Sequence, residues 1–219
     1  YSMWAQCPHR WKTAYIDDKR EFKESIHTLF GTSMHEVIQA FLTVMYEDTA
    51  KAAEALPLKE MLRIRMKRNY EQAMIKNGGE EFCTQKDMVE FYEHGLLILE
   101  FIKKKRAQYF SKKGYELVGI EVPLEYDLPN GVKFIGYIDV VIRDTVRDVI
   151  KIYDIKTSTM GWNKWQKADK IKTDQLLLYK QFYSKQFNHP MDKIEVEYFI
   201  VKRKLYENLD FPQKRVQKF

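Results

Sequence analysis

At Gly114 the spacing of apolar residues changes, and that change limits the architectures open to this chain. Upstream they recur about every 3.6 residues, the repeat of one helix face; downstream they alternate about every second residue, the repeat of a strand. Met34, Val37, Ile38, Phe41 and Met45 make a stripe over residues 31–48 that is suited to packing on a sheet. A second helix is expected over 58–76, stopped by Asn77-Gly78-Gly79. A third, over 85–112, is marked by Met88, Tyr92, Leu96, Leu99 and Ile102 and closed by Gly114. Beyond it, residues 115–126, 132–143 and 149–157 read as strands, the first two joined by the turn signal Pro129-Asn130-Gly131, giving a three-stranded antiparallel meander. A polar loop with Trp162 and Trp165 leads to a helix over 168–187, ended by His189-Pro190, and residues 194–202 form a last strand. The order predicts one α/β domain: a mainly helical part at 1–113, an α/β core at 114–203 and a basic tail at 204–219.

Composition narrows the class. At 219 residues, 45% hydrophobic and 31% charged, the chain can bury a core, which excludes intrinsic disorder and collagen-like repeats. No apolar run approaches the ~18 residues that span a bilayer, and the N-terminus has no signal-peptide apolar region. A cytoplasmic protein without a membrane partner is therefore expected, in the host cytoplasm if the source is viral. Tyr1 stands where an initiator methionine would, which leaves open that this is a piece of a longer chain. Two cysteines, Cys7 and Cys83, allow one bridge but neither a four-cysteine zinc site nor an iron–sulfur cluster. Lys plus Arg outnumber Asp plus Glu by 37 to 31, a net charge of +6 that favours a polyanionic partner without identifying it. The excess gathers in Lys103 to Arg106 with Lys112 and Lys113, and in Lys202 to Lys204 with Lys214, Arg215 and Lys218. Such runs serve either as solvated faces or as binding surfaces.

The chemistry concentrates where the second and third strands meet. Gly136-Tyr137-Ile138-Asp139-Val140-Val141-Ile142 places a carboxylate inside an apolar strand, and Tyr153-Asp154-Ile155-Lys156-Thr157 places a second, two residues before a lysine. Burying an unpaired charge there is costly. Asp154 and Lys156 share a face, and a hairpin of this length can bring Asp139 beside them. The acid-x-lysine pattern also occurs at Asp17-Asp18-Lys19 and Glu21-Phe22-Lys23, so only its strand context carries information. Two readings fit these residues: a structural cross-strand ion pair, or a divalent-metal centre in which hard oxygen ligands hold Mg²⁺ or Mn²⁺ and the lysine orients a water or stabilises phosphoryl charge. His35, at the edge of the first stripe, fits either a hydrogen-bonded core residue or an Mn²⁺ ligand. Gln175 and Tyr179 lie one turn apart on the later helix, where a buried amide wants a polar target. Glu121, in the first strand, is a third acid, either at the same site or uninvolved on its rim.

Taken together, Gly31-Thr32-x-x-His35, Glu121, Gly136-x-Ile138-Asp139, Asp154-Ile155-Lys156-Thr157 and Gln175-x-x-x-Tyr179 resemble, in order, the motif series of the RecB-like branch of the PD-(D/E)XK nuclease superfamily. Cys7-Pro8-His9-Arg10-Trp11 through Tyr15 resembles that branch's N-terminal segment. The resemblance implies a restriction-endonuclease-like core with a mixed sheet, flanking helices and an N-terminal helical elaboration. It implies that His35, Asp139, Asp154 and the Ile155 carbonyl ligate Mg²⁺ or Mn²⁺, that Lys156 is the catalytic lysine and that Glu121 is an auxiliary acid. Gln175 and Tyr179 would support the site and contact nucleic acid. Relatives with an iron–sulfur cluster need three further cysteines near the C-terminus, and none follows Cys83, so no cluster is expected and Cys7 is expected to be a small buried residue. No Gly-x-x-x-x-Gly-Lys-Ser/Thr loop is present, so a helicase or recombination motor would be a partner on another chain or in a missing region. Two functions follow: a metal-dependent deoxyribonuclease, acting as an exonuclease on ends or single strands or as an endonuclease on DNA or RNA, and a nucleic-acid-binding module with the nuclease fold and little activity. In the nuclease, the basic runs and the loop carrying Trp162, Lys164 and Trp165 would guide a strand by phosphate contact and base stacking.

Overall fold

A computed structural model describes residues 2–19, 23–129, 131–206 and 214–219. Two short helices, α1 (Ser2–Gln6) and α2 (Pro8–Tyr15), open the chain. Cys7 lies exposed between them, contrary to the expectation of a buried residue. Pro8 starts α2, which leaves Cys7 extended as its cap, with Sγ accepting the Arg10 N–H at 3.4 Å. Next come α3 (Ile26–Glu47), α4 (Ala50–Ala55), α5 (Leu58–Lys76) and α6 (Gln85–Tyr109). α3 starts earlier than residue 31 because Ser25 caps it, accepting the Thr28 N–H at 3.2 Å, and Ile26, Leu29 and Phe30 prolong the buried stripe. Gly31 lies inside the helix where the helix approaches the sheet: a Cβ there would stand 3.3 Å from the Thr157 hydroxyl. α6 opens on a reciprocal Thr84–Asp87 capping box and ends before residue 112, because Phe110 turns out of the helix into the core between Tyr153 and Phe199. Lys112 then donates to the carbonyls of Tyr46 and Asp48, and Arg106 bonds Glu54 at 2.7 Å, so part of the first basic block is structural.

Strands β1 (Tyr115–Asp127), β2 (Lys133–Asp144) and β3 (Val149–Ser158) form the expected antiparallel meander. Asn130 of the expected turn lies outside the described residues; around it, the Leu128 N–H bonds the Val132 carbonyl and Gly131 takes φ 76°. The polar loop after β3 contains an unexpected short helix, α7 (Lys164–Lys167), and the expected helix over 168–187 is α8 (Lys170–Phe187), capped by Asp169. α8 crosses to β4 (Ile194–Lys202), which pairs parallel to β3, as such a crossover requires. The C-terminal segment is not only a basic tail: β5 (Val216–Lys218) pairs antiparallel with β4, completing the sheet order β1-β2-β3-β4-β5. Residues 207–213 of that segment lie outside the described residues, as do Glu21 and Phe22.

Helices cover both sheet faces. α3, α5 and α6 bury Val140, Ile142, Tyr153, Ile155, Phe199 and Val201, while α8 buries Ile138, Val141, Ile150, Ile152 and Ile194 beneath Phe182 and Tyr183. β3 is central and apolar on both faces, as a strand between two helical layers must be. One irregularity places the polar residues. The β2–β3 ladder stops at Val140/Tyr153, whereas β1–β2 runs on to Asp127/Lys133 and β3–β4 to Ser158/Lys202. β2 and β3 therefore part beyond that pair. Ile138 and Val140, two residues apart, join opposite cores, and Glu121 facing this point takes φ 49°. The sheet forks at Asp139 and Asp154.

Candidate active site

At the fork, Asp139 replaces a missing backbone acceptor. Its Oδ2 accepts the Ile155 N–H at 2.6 Å, and Gln39 Nε2, on α3, approaches its carbonyl at 3.3 Å. The second carboxylate, Asp154, is 2% exposed. Lys156, two residues on and on the same face, brings Nζ within 2.6 Å of Asp154 Oδ2, an oxygen with no further partner among the described residues. The other oxygen, Oδ1, accepts from Gln175 Nε2 at 3.2 Å. Gln175 cannot swing freely: the same nitrogen lies 3.0 Å from the Tyr179 hydroxyl, and its Oε1 lies 3.1 Å from the hydroxyl of Tyr198, the β4 partner of Asp154. From the α3 side, His35 Nδ1 stands 3.7 Å from Asp139 Oδ2.

These positions fix the electrostatics. Burial pushes both Asp139 and Asp154 up to about 6; the Lys156 charge pulls each down, and Asp139 itself further raises Asp154. Burial also acts against the Lys156 ammonium, but the charge and hydrogen bond of Asp154 more than offset it, so its pKa is raised. His35 is lowered, chiefly by burial and then by the Lys156 charge, which keeps its imidazole neutral at neutral pH. One lysine thus serves two carboxylates, one buried and one half-buried, and the site holds more negative charge than it neutralises. At the rim, exposed Glu121 accepts from Gln39 Nε2 at 2.5 Å.

A family model for the PD-(D/E)XK nuclease superfamily matches residues 1–219. The chain belongs to that superfamily. No curated protein matches it. Membership makes the chain a nuclease, a hydrolase of nucleic acid, in a superfamily that uses divalent metals generally, and the forked five-stranded sheet between helices is its restriction-endonuclease-like core.

Of the residues expected from sequence, the fork gathers His35, Asp139, Asp154, Ile155, Lys156, Gln175 and Tyr179, with Glu121 at its rim through Gln39. Lys164 and Trp165 are not in this cluster. They stand on α7, the amine 4.9 Å from the indole centroid and the ring 73% exposed. Trp162 of the same loop is partly structural, packing edge-on against Tyr198 at 4.7 Å. Sequence reasoning missed Gln39 and Tyr198. Gln39 follows His35 by one helical turn, so the test applied to Gln175, an amide on an apolar stripe, would have found it. Tyr198 shows no sign of its role until β4 is set in register with β3.

The donor set fits a divalent cation in kind: hard carboxylate oxygens that share a single ammonium, a neutral imidazole and, at Ile155, a backbone carbonyl beside it. It is not a preassembled cage, since among the described residues no three His, Cys, Asp or Glu side chains converge closely enough to hold an ion by themselves. Backbone, water or substrate oxygens would have to complete the coordination. Both cysteines are free.

Proposed function

We propose that this superfamily member is a RecB-like deoxyribonuclease that hydrolyses phosphodiester bonds with Mg²⁺ or Mn²⁺, acting as an exonuclease on ends or single strands. One observation carries the reading: a single ammonium faces two carboxylates, one buried and one half-buried, where β2 and β3 part, an arrangement too poor in positive charge for a structural ion pair and suited to a cation. Asp139, Asp154, His35 and the Ile155 carbonyl would hold the ion, and Glu121 adds charge at the rim. A bound divalent ion would offset the carboxylates and acidify a water. The chain's own residues supply the rest. Lys156 has the reach to orient that water or to stabilise a phosphoryl oxygen. Gln175, braced by Tyr179 and Tyr198, holds the Asp154 carboxylate in one orientation. The exposed Trp165 ring and Lys164 amine on α7, outside the cluster itself, offer a stacking surface and a phosphate contact. Action on ends or single strands follows the resemblance to the RecB-like branch, as does a helicase or recombination partner on another chain; a cytoplasmic setting is the reading drawn from the sequence's lack of a spanning or signal-like apolar run. No described helix is long and apolar enough to cross a membrane.

The competing reading, a binding module with little activity, draws on the absence of a preassembled cage. Digestion of end-labelled linear, circular and single-stranded DNA with Mn²⁺, with and without chelator, separates the two. We expect Mn²⁺-dependent release of labelled ends, absent with chelator and abolished in Asp154→Ala and Lys156→Ala, both of which still bind DNA. If these variants cut like the parent, the site assignment is wrong. A parent that binds no Mn²⁺ by calorimetry and leaves every substrate intact would establish the binding module instead.

A further inference from the structure

Beyond the fork, a second polar hollow of about 170 Å³ opens at the end of β3. It is lined by His27, Phe30, Thr157, Ser158, Thr159 and Arg203. Thr157 directly follows Lys156, and His27 precedes His35 by eight residues on α3, about 12 Å at ~1.5 Å per residue. The hollow is therefore a neighbour of the carboxylate site, on the α3 side of the sheet.

Arg203 is only 6% exposed, and its guanidinium lies 3.6 Å from the Phe91 ring centroid. Its NH1 stands 3.2 Å from His94 Nδ1 and 3.5 Å from Glu90, while among the described residues its NH2 reaches only the Thr159 hydroxyl, at 3.5 Å. Glu90 is shared with Lys204 at 3.0 Å, and Arg215 closes on the Lys202 and Arg203 carbonyls at 3.3 and 2.8 Å, so among the described residues cations outnumber the acid. The rest of the lining also has donors to spare. Among the described residues no protein group hydrogen-bonds the His27 ring or the Thr157 hydroxyl. A purely structural arginine would account for the stacking on Phe91 and the bond to His94. It would not account for a hollow on which a guanidinium edge, the Thr157 hydroxyl and the His27 imidazole converge with no carboxylate among the lining residues.

We propose that this hollow is a phosphate subsite, holding a phosphate of the nucleic-acid strand next to the one being cleaved, with Arg203, His27 and Thr157 as its donors. The inference rests on the nuclease reading for its ligand, but it concerns binding and needs no metal. The test is fluorescence anisotropy on a short single-stranded oligodeoxynucleotide in chelator, across a salt series, with and without a 5′-terminal phosphate. His27→Ala combined with Thr157→Val removes two donors at exposed or half-buried positions, leaving the core intact. This double variant is expected to weaken binding about tenfold, and Arg203→Met to lower the salt slope by about 0.7, one single-strand phosphate contact. Lys67→Ala, on the exposed face of α5, is the charge control and should leave both quantities as in the parent. Equal loss on both oligonucleotides assigns an internal diester; loss confined to the end-phosphorylated one assigns a terminal monoester. If the double variant keeps parental affinity and slope while the parent still cuts DNA, the subsite is refuted and the nuclease reading stands. If the parent binds no oligonucleotide yet cuts DNA with Mn²⁺, the subsite falls and the nuclease reading stands; if it neither binds nor cuts, both fall.

Discussion

Replacing Asp154 by Asn should abolish cleavage and yet stabilise the metal-free fold. Burial holds the Asp154 carboxyl at about 6 against an ordinary 3.8. Each pKa unit is worth about 1.36 kcal/mol, so keeping this side chain ionised at neutral pH costs the folded state up to about 3 kcal/mol. Asn keeps the shape and an acceptor for Gln175 but carries no charge. It strands the Lys156 ammonium, whose side chain is 35% exposed and can turn to water, so part of the gain is returned. A net gain of roughly 1–3 kcal/mol remains, worth roughly 3–10 °C in melting temperature for a chain of this size. The pH sign follows from a folded pKa above the unfolded one. The penalty is full above about 6 and fades as pH falls towards 3.8, so the melting difference between variant and parent should shrink across that window. Acids elsewhere that are held low by partners, such as Asp148 beside Arg143, pull the parent's own curve the other way, so the difference is the quantity to read. Calorimetric melting in chelator and then in excess Mn²⁺ checks both halves: the ion should raise the parent and barely move the variant. A variant that melts below the parent in chelator, or an equal Mn²⁺ shift in both proteins, refutes the charge-crowding argument.

Three further outcomes follow from single residues. Gln39→Leu removes the donor shared by Glu121 and the Asp139 carbonyl; activity should fall about 10- to 100-fold with little change in DNA affinity, and adding Glu121→Gln should cost little more, as steady-state kinetics on the double variant would show. Trp165→Ala should leave the melting temperature unchanged, because the ring is 73% exposed, and should weaken single-strand binding by about 1–3 kcal/mol, measured by anisotropy. Phe110→Ala should destabilise the fold by about 3–5 kcal/mol in urea titration, because the ring fills the space between Tyr153 and Phe199.

Where a local pattern determines the structure, it could be read from the sequence; where a distant partner does, it could not. α5 and β4 have the expected boundaries because each begins and ends on its own signals, Pro57 and Asn77-Gly78-Gly79 for the helix and Pro190 for the strand. α3 was misjudged at its start because Gly31 looks like a boundary, and only the approach of Thr157 explains a glycine inside the helix. α6 was judged too long because Phe110 continues the helical stripe in sequence yet is drawn into the core by two rings more than 40 residues away. β5 is three residues of a basic segment, and nothing in it but the open edge of β4 makes it a strand. Asp139, Asp154 and Lys156 stood out as charges in apolar strands, whereas Gln39 is tied to the site by bonds to β1 and β2, roughly a hundred residues on in the chain.

The fork explains why these charges can exist in the core at all. A central strand covered on both faces leaves no water for its backbone groups, so a ladder that stops at Val140/Tyr153 strands the next amide, that of Ile155. The Asp139 carboxylate takes that N–H, and Gln39 attends the carbonyl that Asp139 no longer gives to β3. The parting is thus held by a carboxylate that carries negative charge, and the second acid, Asp154, lies one strand over beside it. A pair of aliphatic residues at these positions would let β2 and β3 zip together, bury the space and remove the site. The instability that both acids bring to the metal-free fold is therefore not separable from the parting of β2 and β3, and a cation that neutralises them would stabilise the fold.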